Sequence, residues 1–141
     1  MGKRKRISAE IKKDINKKTN KATLRNSTLS PRKMRLIADL VRGRKVEEAL
    51  NILTFSPKHA AHSLKKLLLS AISNWEQKNT DSQNTISDLY IKTIYVEQGR
   101  TLKRILPAPQ GRAYRVRKRS NHVTLILDTK KINQKEEQTQ N

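Results

Sequence analysis

Cysteine is absent from the chain, which excludes a disulfide framework and a thiolate zinc site. Aromatic residues are scarce, with one Phe, one Trp and three Tyr, so a core must be built mainly from aliphatic side chains. Only four glycines occur. No glycine-rich phosphate loop and no Ser/His/Asp or Cys/His set can be assembled, and an enzyme has little to stand on. No apolar run approaches the length of a membrane span, and the basic stretches lack a lipid-seeking aromatic face. Met1-Gly2-Lys3-Arg4-Lys5-Arg6 has the charge of a signal n-region, but polar Ser8-Ala9-Glu10 follows where an apolar region should stand. A myristoylation pattern fails at Arg6, where Ser or Thr is required. The expectation is a soluble, intracellular chain without cofactor, metal, membrane or small-molecule substrate.

Acidic residues are also few. Lys and Arg number 32 against 12 Asp and Glu, a formal net charge of +20 on 141 residues. Self-repulsion on that scale destabilises a compact state unless a polyanion neutralises it, and nucleic acid is the usual partner. The charge is concentrated in Gly99 to His122 (GRTLKRILPAPQGRAYRVRKRSNH), which has eight Lys and Arg and no carboxylate. Strand-like runs flank it: Leu89 to Val96 on one side and Val123 to Leu127 on the other. Within it, Pro107-Ala108-Pro109-Gln110-Gly111 is turn chemistry. The pattern predicts one long antiparallel hairpin, 97–122 in its protruding part, whose arms reach on the order of 40 Å at about 3.3 Å per residue. Its outer half cannot sit in a core, and an isolated ribbon of that length is marginal in water.

The rest of the chain supplies a small body. Residues 1–20 are Lys-rich. Ile7, Ile11 and Ile15 could line one helical stripe, but the stripe is narrow and uncapped, and a flexible basic extension is expected. Lys21 to Leu29 alternates weakly and reads as a short strand. Ser30-Pro31 opens a helix, Ser30 offering a cap and Pro31 suiting the first helical position. Met34, Ile37, Ala38 and Val41 share its face, and Gly43 stops it. Val46, Ala49, Leu50 and Leu53 repeat the spacing in a second helix. Glu47 and Glu48 favour its first turn, and at adjacent positions they do not converge on one reacting atom.

Ser56-Pro57 is a second cap signal. Ala60, Ala61, Leu64, Leu67, Leu68, Ala71, Ile72 and Trp75 then give the strongest periodicity in the chain, a helix to about Gln77. His59 and His62 lie three apart with no third ligand in view. Asn79 to Thr85 is a polar loop. The fold class expected is α+β: three helices on one face of a small three-stranded antiparallel sheet, within a single domain over 21–128. A polar tail, 129–141, follows.

Within the basic stretch, alternation sends Arg115, Arg117 and Arg119 to one side and Lys118 to the other. Cations on both faces suit a crevice walled by phosphates. Tyr114 could stack on an unpaired base or pack against the opposite arm. An architectural DNA binder with a basic β-arm and a tip proline is the alternative; such proteins dimerise through an apolar face, and here the helical stripes are used by one core.

These residues carry a resemblance. SPRKMRLIADLVRGRKV from Ser30, ALNIL from Ala49, LKRILP from Leu102 and GRA from Gly111, in that order, resemble the ribosomal protein L22 family of the large subunit, in its bacterial form, over roughly Ala22 to Asp128. The resemblance implies a non-enzymatic binder of large-subunit ribosomal RNA, cytoplasmic within the subunit. Its other partners would be neighbouring ribosomal proteins and the nascent polypeptide. It implies a hairpin that threads between RNA domains and lines the exit tunnel, with Leu102, Lys103, Arg104, Pro107, Ala108, Pro109, Gln110, Gly111 and Arg112 near its tip. The RNA contacts expected are Arg32, Lys33, Arg35, Arg42, Arg44 and Lys45 on the body. On and beside the ribbon they are Arg100, Lys103, Arg104, Arg112, Tyr114, Arg115, Arg117, Lys118, Arg119 and His122.

Overall fold

A computed structural model describes residues 2–79 and 86–129. Four helices and three strands follow in the order α1 (Lys3–Lys18), β1 (Asn20–Ser27), α2 (Pro31–Val41), α3 (Val46–Phe55), α4 (His59–Lys78), β2 (Leu89–Pro107) and β3 (Ala113–Thr129). A short 3₁₀ turn, Ile86–Asp88, leads into β2. The sheet is antiparallel with order β1-β3-β2. The fold is the α+β arrangement expected. The polar loop and the C-terminal tail fall mostly outside the described residues.

The core forms where helical and strand periodicities meet. All eight apolar positions read from the sequence of α4 are buried, as are Met34, Ile37, Ala38 and Val41 of α2 and Val46, Ala49 and Leu53 of α3. From the sheet they meet Ala22 of β1, Leu89, Ile91 and Ile94 of β2, and Val123, Leu125 and Leu127 of β3. In β3 the inward residues are the odd ones throughout. In β2 the inward set changes from odd to even between Ile91 and Ile94, because a bulge at Ile91/Thr93 inserts one residue. Without that extra residue, one end of β2 would turn its apolar side to water.

Three local expectations need correction. Residues 3–18 form a helix in place of the flexible basic extension expected, so there are four helices, not three. Its Ile7, Ile11 and Ile15 are all about half exposed, and no described side chain of α1 is buried. Helix α1 therefore adds nothing to the core. Ser30 does occupy the cap position of α2 with Pro31 next, but its hydroxyl makes no capping bond. Finally, Ser56 ends α3, and Lys58 rather than Ser56 caps α4. Gly43 stops α2 as expected, at φ 74°.

Candidate nucleic-acid interface

Beyond Val96, paired with Val123, strands β2 and β3 leave the helices behind and continue as a two-stranded ribbon to Pro107, paired with Ala113. Eleven residue steps at about 3.3 Å give an arm of roughly 36 Å. Its outer side chains are exposed from Leu102 to Pro107 and from Ala113 to Arg119. Among the described residues, no carboxylate pairs with any of its eight cations; the ion pairs are Arg6–Glu10, Arg42–Asp39, Arg44–Glu48 and Lys92–Asp128, all elsewhere.

The turn closes at Pro109 to Arg112. Ala108 donates its N–H to the Arg112 carbonyl at 2.9 Å, and Arg112 donates to the Pro109 carbonyl at 3.4 Å. Both central residues, Gln110 at φ 63° and Gly111 at φ 70°, are left-handed. That is the backbone a type I′ hairpin turn requires, and its twist matches that of the flanking strands. The glycine was legible in the sequence. The strained glutamine was not, since Gln has no intrinsic liking for that region.

Cross-strand register fixes which side chains share a face. Thr101 opposes Arg119, Lys103 opposes Arg117 and Ile105 opposes Arg115, so Lys103 and three arginines stand together. Leu102 opposes Lys118, Arg104 opposes Val116 and Leu106 opposes Tyr114 on the other face. Leu102-Lys103-Arg104, grouped with the tip in the sequence reading, therefore lies part-way along the arm; Pro107 to Arg112 alone makes the end.

At the root of the ribbon a second bulge, Gln98/Thr101, holds Gly99 and Arg100 against Ser120. Ser120 donates its hydroxyl to the Arg100 carbonyl at 2.6 Å. A Cβ on Gly99 would come within 2.7 Å of that hydroxyl oxygen and 3.2 Å of the Ser120 backbone carbon. Here glycine is needed for space, not for an unusual φ. Asn121, unmarked in the sequence, is fully buried and donates to the Leu29 carbonyl at 2.7 Å, while its Oδ1 finds no protein donor among the described residues. It stands where the inward positions of β3 change from Val123, Leu125 and Leu127 to Arg119, Arg117 and Arg115, and that switch was the available signal.

His122, expected as an RNA contact, accepts a bond at Nδ1 from the Asn26 amide at 3.0 Å, where Asn26 takes φ 55° in the β1 bulge. Its first task is to join β1 to β3.

The body cations divide similarly. Arg32 and Lys33 are exposed in the first turn of α2. Arg35 reaches the Val96 carbonyl at 3.1 Å, and Arg42 reaches the Ile94 carbonyl at 3.2 Å while pairing with Asp39. The backbone of the α2–α3 connection completes the seam: Gly43 donates to the Ile91 carbonyl, Ile91 donates to that of Arg44, and Lys45 bridges to Tyr90. Strand β2 is an edge, and its outward carbonyls would otherwise face water or another chain. Arg44, in the connection after α2, donates to the Leu40 carbonyl in the last turn of that helix. Thus Arg35, Arg42 and Arg44 spend donors on the fold, whereas among the described residues the ribbon cations make one side-chain bond, from Arg104 to the Lys103 carbonyl at 2.9 Å, and no ion pair. The first turn of α2 also sits at the ribbon root, on the side of the sheet that carries Arg115, Arg117 and Arg119.

Trp75 is buried in the core, and His59 and His62 are exposed on α4. No group of three or more His, Cys, Asp or Glu that could hold a metal occurs among the described residues, and no helix there is long and apolar enough to cross a membrane.

Comparison with known proteins adds what geometry cannot. The chain is 60% identical over 127 residues to the large ribosomal subunit protein uL22 of Flavobacterium johnsoniae, covering 90% of this chain and 93% of that one. It is 58% identical to the protein of the same name from Flavobacterium psychrophilum over the same shares. Against that of Bacteroides fragilis the identity is 54% over 134 residues, 95% of this chain and 98% of the relative. The profile of the family described as "Ribosomal protein L22p/L17e" matches residues 22–128, from inside β1 to the end of β3. With a cationic ribbon on a small α+β body and no catalytic set, the chain belongs to the L22 family of ribosomal proteins, a family of structural components and not of enzymes.

Proposed function

We propose that the chain binds large-subunit ribosomal RNA, supports its assembly, and lines the nascent-peptide exit tunnel with the end of its ribbon, as a cytoplasmic component of that subunit. The observation that carries this reading is the ribbon: about 36 Å of paired backbone outside any core, with eight cations and no carboxylate. Such an object gains stability only between polyanionic walls, where phosphates lower its self-repulsion and cover both faces. The helical body, closed on its own core, serves as the anchor. Arg32 and Lys33, exposed in the first turn of α2, add cations on that anchor. Neighbouring ribosomal proteins and the growing polypeptide are the further partners.

The test is a salt series. If about four of the ribbon cations meet phosphates, log K for purified large-subunit ribosomal RNA falls with log salt at a slope of magnitude about 3. Filter binding measures it. A flat dependence, or a preference for duplex DNA over ribosomal RNA, overturns the reading.

A further inference from the structure

The two faces of the ribbon differ in chemistry as well as in side. By register, one face carries Lys103, Arg115, Arg117 and Arg119, with Thr101 and Ile105 between them. The other carries Leu102, Leu106, Tyr114 and Val116, with Arg104 and Lys118 among them. In the body, the odd positions of β3 are apolar and buried. In the ribbon the even positions are the apolar ones, so the pattern inverts at Asn121. A solvated arm would have no use for such a face. Among the described residues nothing covers it: Tyr114 is 62% exposed, Leu106 54% and Leu102 42%.

We infer that this second face is a stacking surface for unpaired RNA bases, with the Tyr114 ring as its platform and Leu106 and Val116 beside it. The occupant follows from the charges. The core of a patch meant for a protein partner is depleted of lysine, though not of tyrosine or arginine. Here Lys118 stands with Arg104 among the apolar residues, and the ribbon around them has eight cations and no carboxylate to complement a mixed-charge protein surface. Nucleotides supply what that mixture accepts: flat π-faces for tyrosine and guanidinium, and phosphates one side chain away. The opposite face, with four cations and one isoleucine, is the phosphate face. The ribbon would therefore enter RNA in one orientation, with backbone on one side and splayed bases on the other. This inference rests on the RNA-binding reading and divides that binding between two physical terms.

Salt separates the two terms, because phosphate contacts release counterions and stacking does not. The experiment compares the full chain with Tyr114→Ala, Tyr114→Phe and Arg117→Ala on purified large-subunit ribosomal RNA over a salt series, with thermal melting to confirm the body. Arg117→Ala should lower the slope by about 0.7–0.9. Tyr114→Ala should lower affinity by about 5- to 100-fold at every salt concentration and leave the slope unchanged. Tyr114→Phe should bind as the parent does, since the ring is kept. Unchanged affinity in Tyr114→Ala, with the parent still salt-sensitive, overturns the stacking face and leaves the RNA reading intact. So does failure of Tyr114→Phe to bind like the parent, which would assign the contact to the hydroxyl. If Tyr114→Ala binds naked RNA normally but is lost from assembled subunits, the face belongs to a protein neighbour and the inference is again overturned. A parent that shows no salt dependence at all removes the RNA reading itself.

Discussion

Asn121 and Gly99 show how single residues hold the ribbon to the body. Asn121 spends its amide on the Leu29 carbonyl and thereby ties β3 to the loop that starts α2. Asn121→Ala leaves that part-buried carbonyl without its donor and opens space at a fully buried position, and stability should fall by about 1–3 kcal/mol in urea melts. Leu68→Ala, at a fully buried position of α4, should cost about 2–4 kcal/mol through the cavity it opens. Arg117→Ala touches no core residue and should leave the melt unchanged. The Lys92 ammonium has its pKa raised above 10.5, first by its 2.6 Å hydrogen bond to Asp128 and then by that carboxylate's charge. A raised folded-state pKa means this contribution is whole below pH 10.5 and is lost as pH rises through the folded value. Lys92→Met should therefore melt below the parent at neutral pH, and the two should converge in strong alkali; an equal gap at both pH values would rule the pair out as the cause.

At the scale of elements, α1 and the ribbon both lie outside the core, but for different reasons. Helix α1 has an isoleucine stripe too narrow to bury, and residues 3–18 carry eight Lys and Arg against two acids. Removing residues 1–18 should change the body's stability by less than about 0.5 kcal/mol while weakening RNA binding in a salt-dependent way. A large loss of stability would show that α1 packs on the body. The ribbon depends on register. Deleting Leu102-Lys103-Arg104 brings Ile105 opposite Lys118 and Leu106 opposite Arg117, which mixes the two faces, and it shortens the paired arm by roughly 10 Å. The body keeps every core residue and should still assemble. On the tunnel reading, ribosomes with this deletion should sediment normally yet show altered pausing on nascent peptides that sense the wall. Ribosome profiling beside a sucrose gradient measures both, and unaltered pausing in assembled ribosomes would leave the ribbon a structural role only.

For the whole molecule, charge and shape work together. A net charge of +20 is tolerable because the small core is made from neutral faces and the cations are exported to α1, the first turn of α2 and the ribbon. The edge of β2 is then closed by the same residue type that the ribbon leaves exposed, as Arg35 and Arg42 cover its carbonyls. Arg35→Ala should consequently lower stability by about 1 kcal/mol besides any loss of RNA affinity, whereas Arg32→Ala should affect RNA affinity alone. Paired melting and binding curves distinguish the two arginines.

Local signals were enough for the faces of α2, α3 and α4 and for the hairpin and its turn; charge density is what points to a polyanion partner. Apolar spacing, turn residues and charge density each act within a few neighbours along the chain. The N-terminal helix escaped that reading because its stripe is the same in a helix that packs on nothing as in one that does not form. The bulge at Ile91/Thr93 that moves β2's apolar side from odd to even residues, and the burial of Asn121, were settled by pairing with β3 across the sheet. The same holds for the division of arginines into those that close the fold and those left for a partner: Arg35 lies 61 residues from the carbonyl it holds. Only the folded chain brings donor and acceptor together, so no stretch of sequence around Arg35 distinguishes it from Arg32.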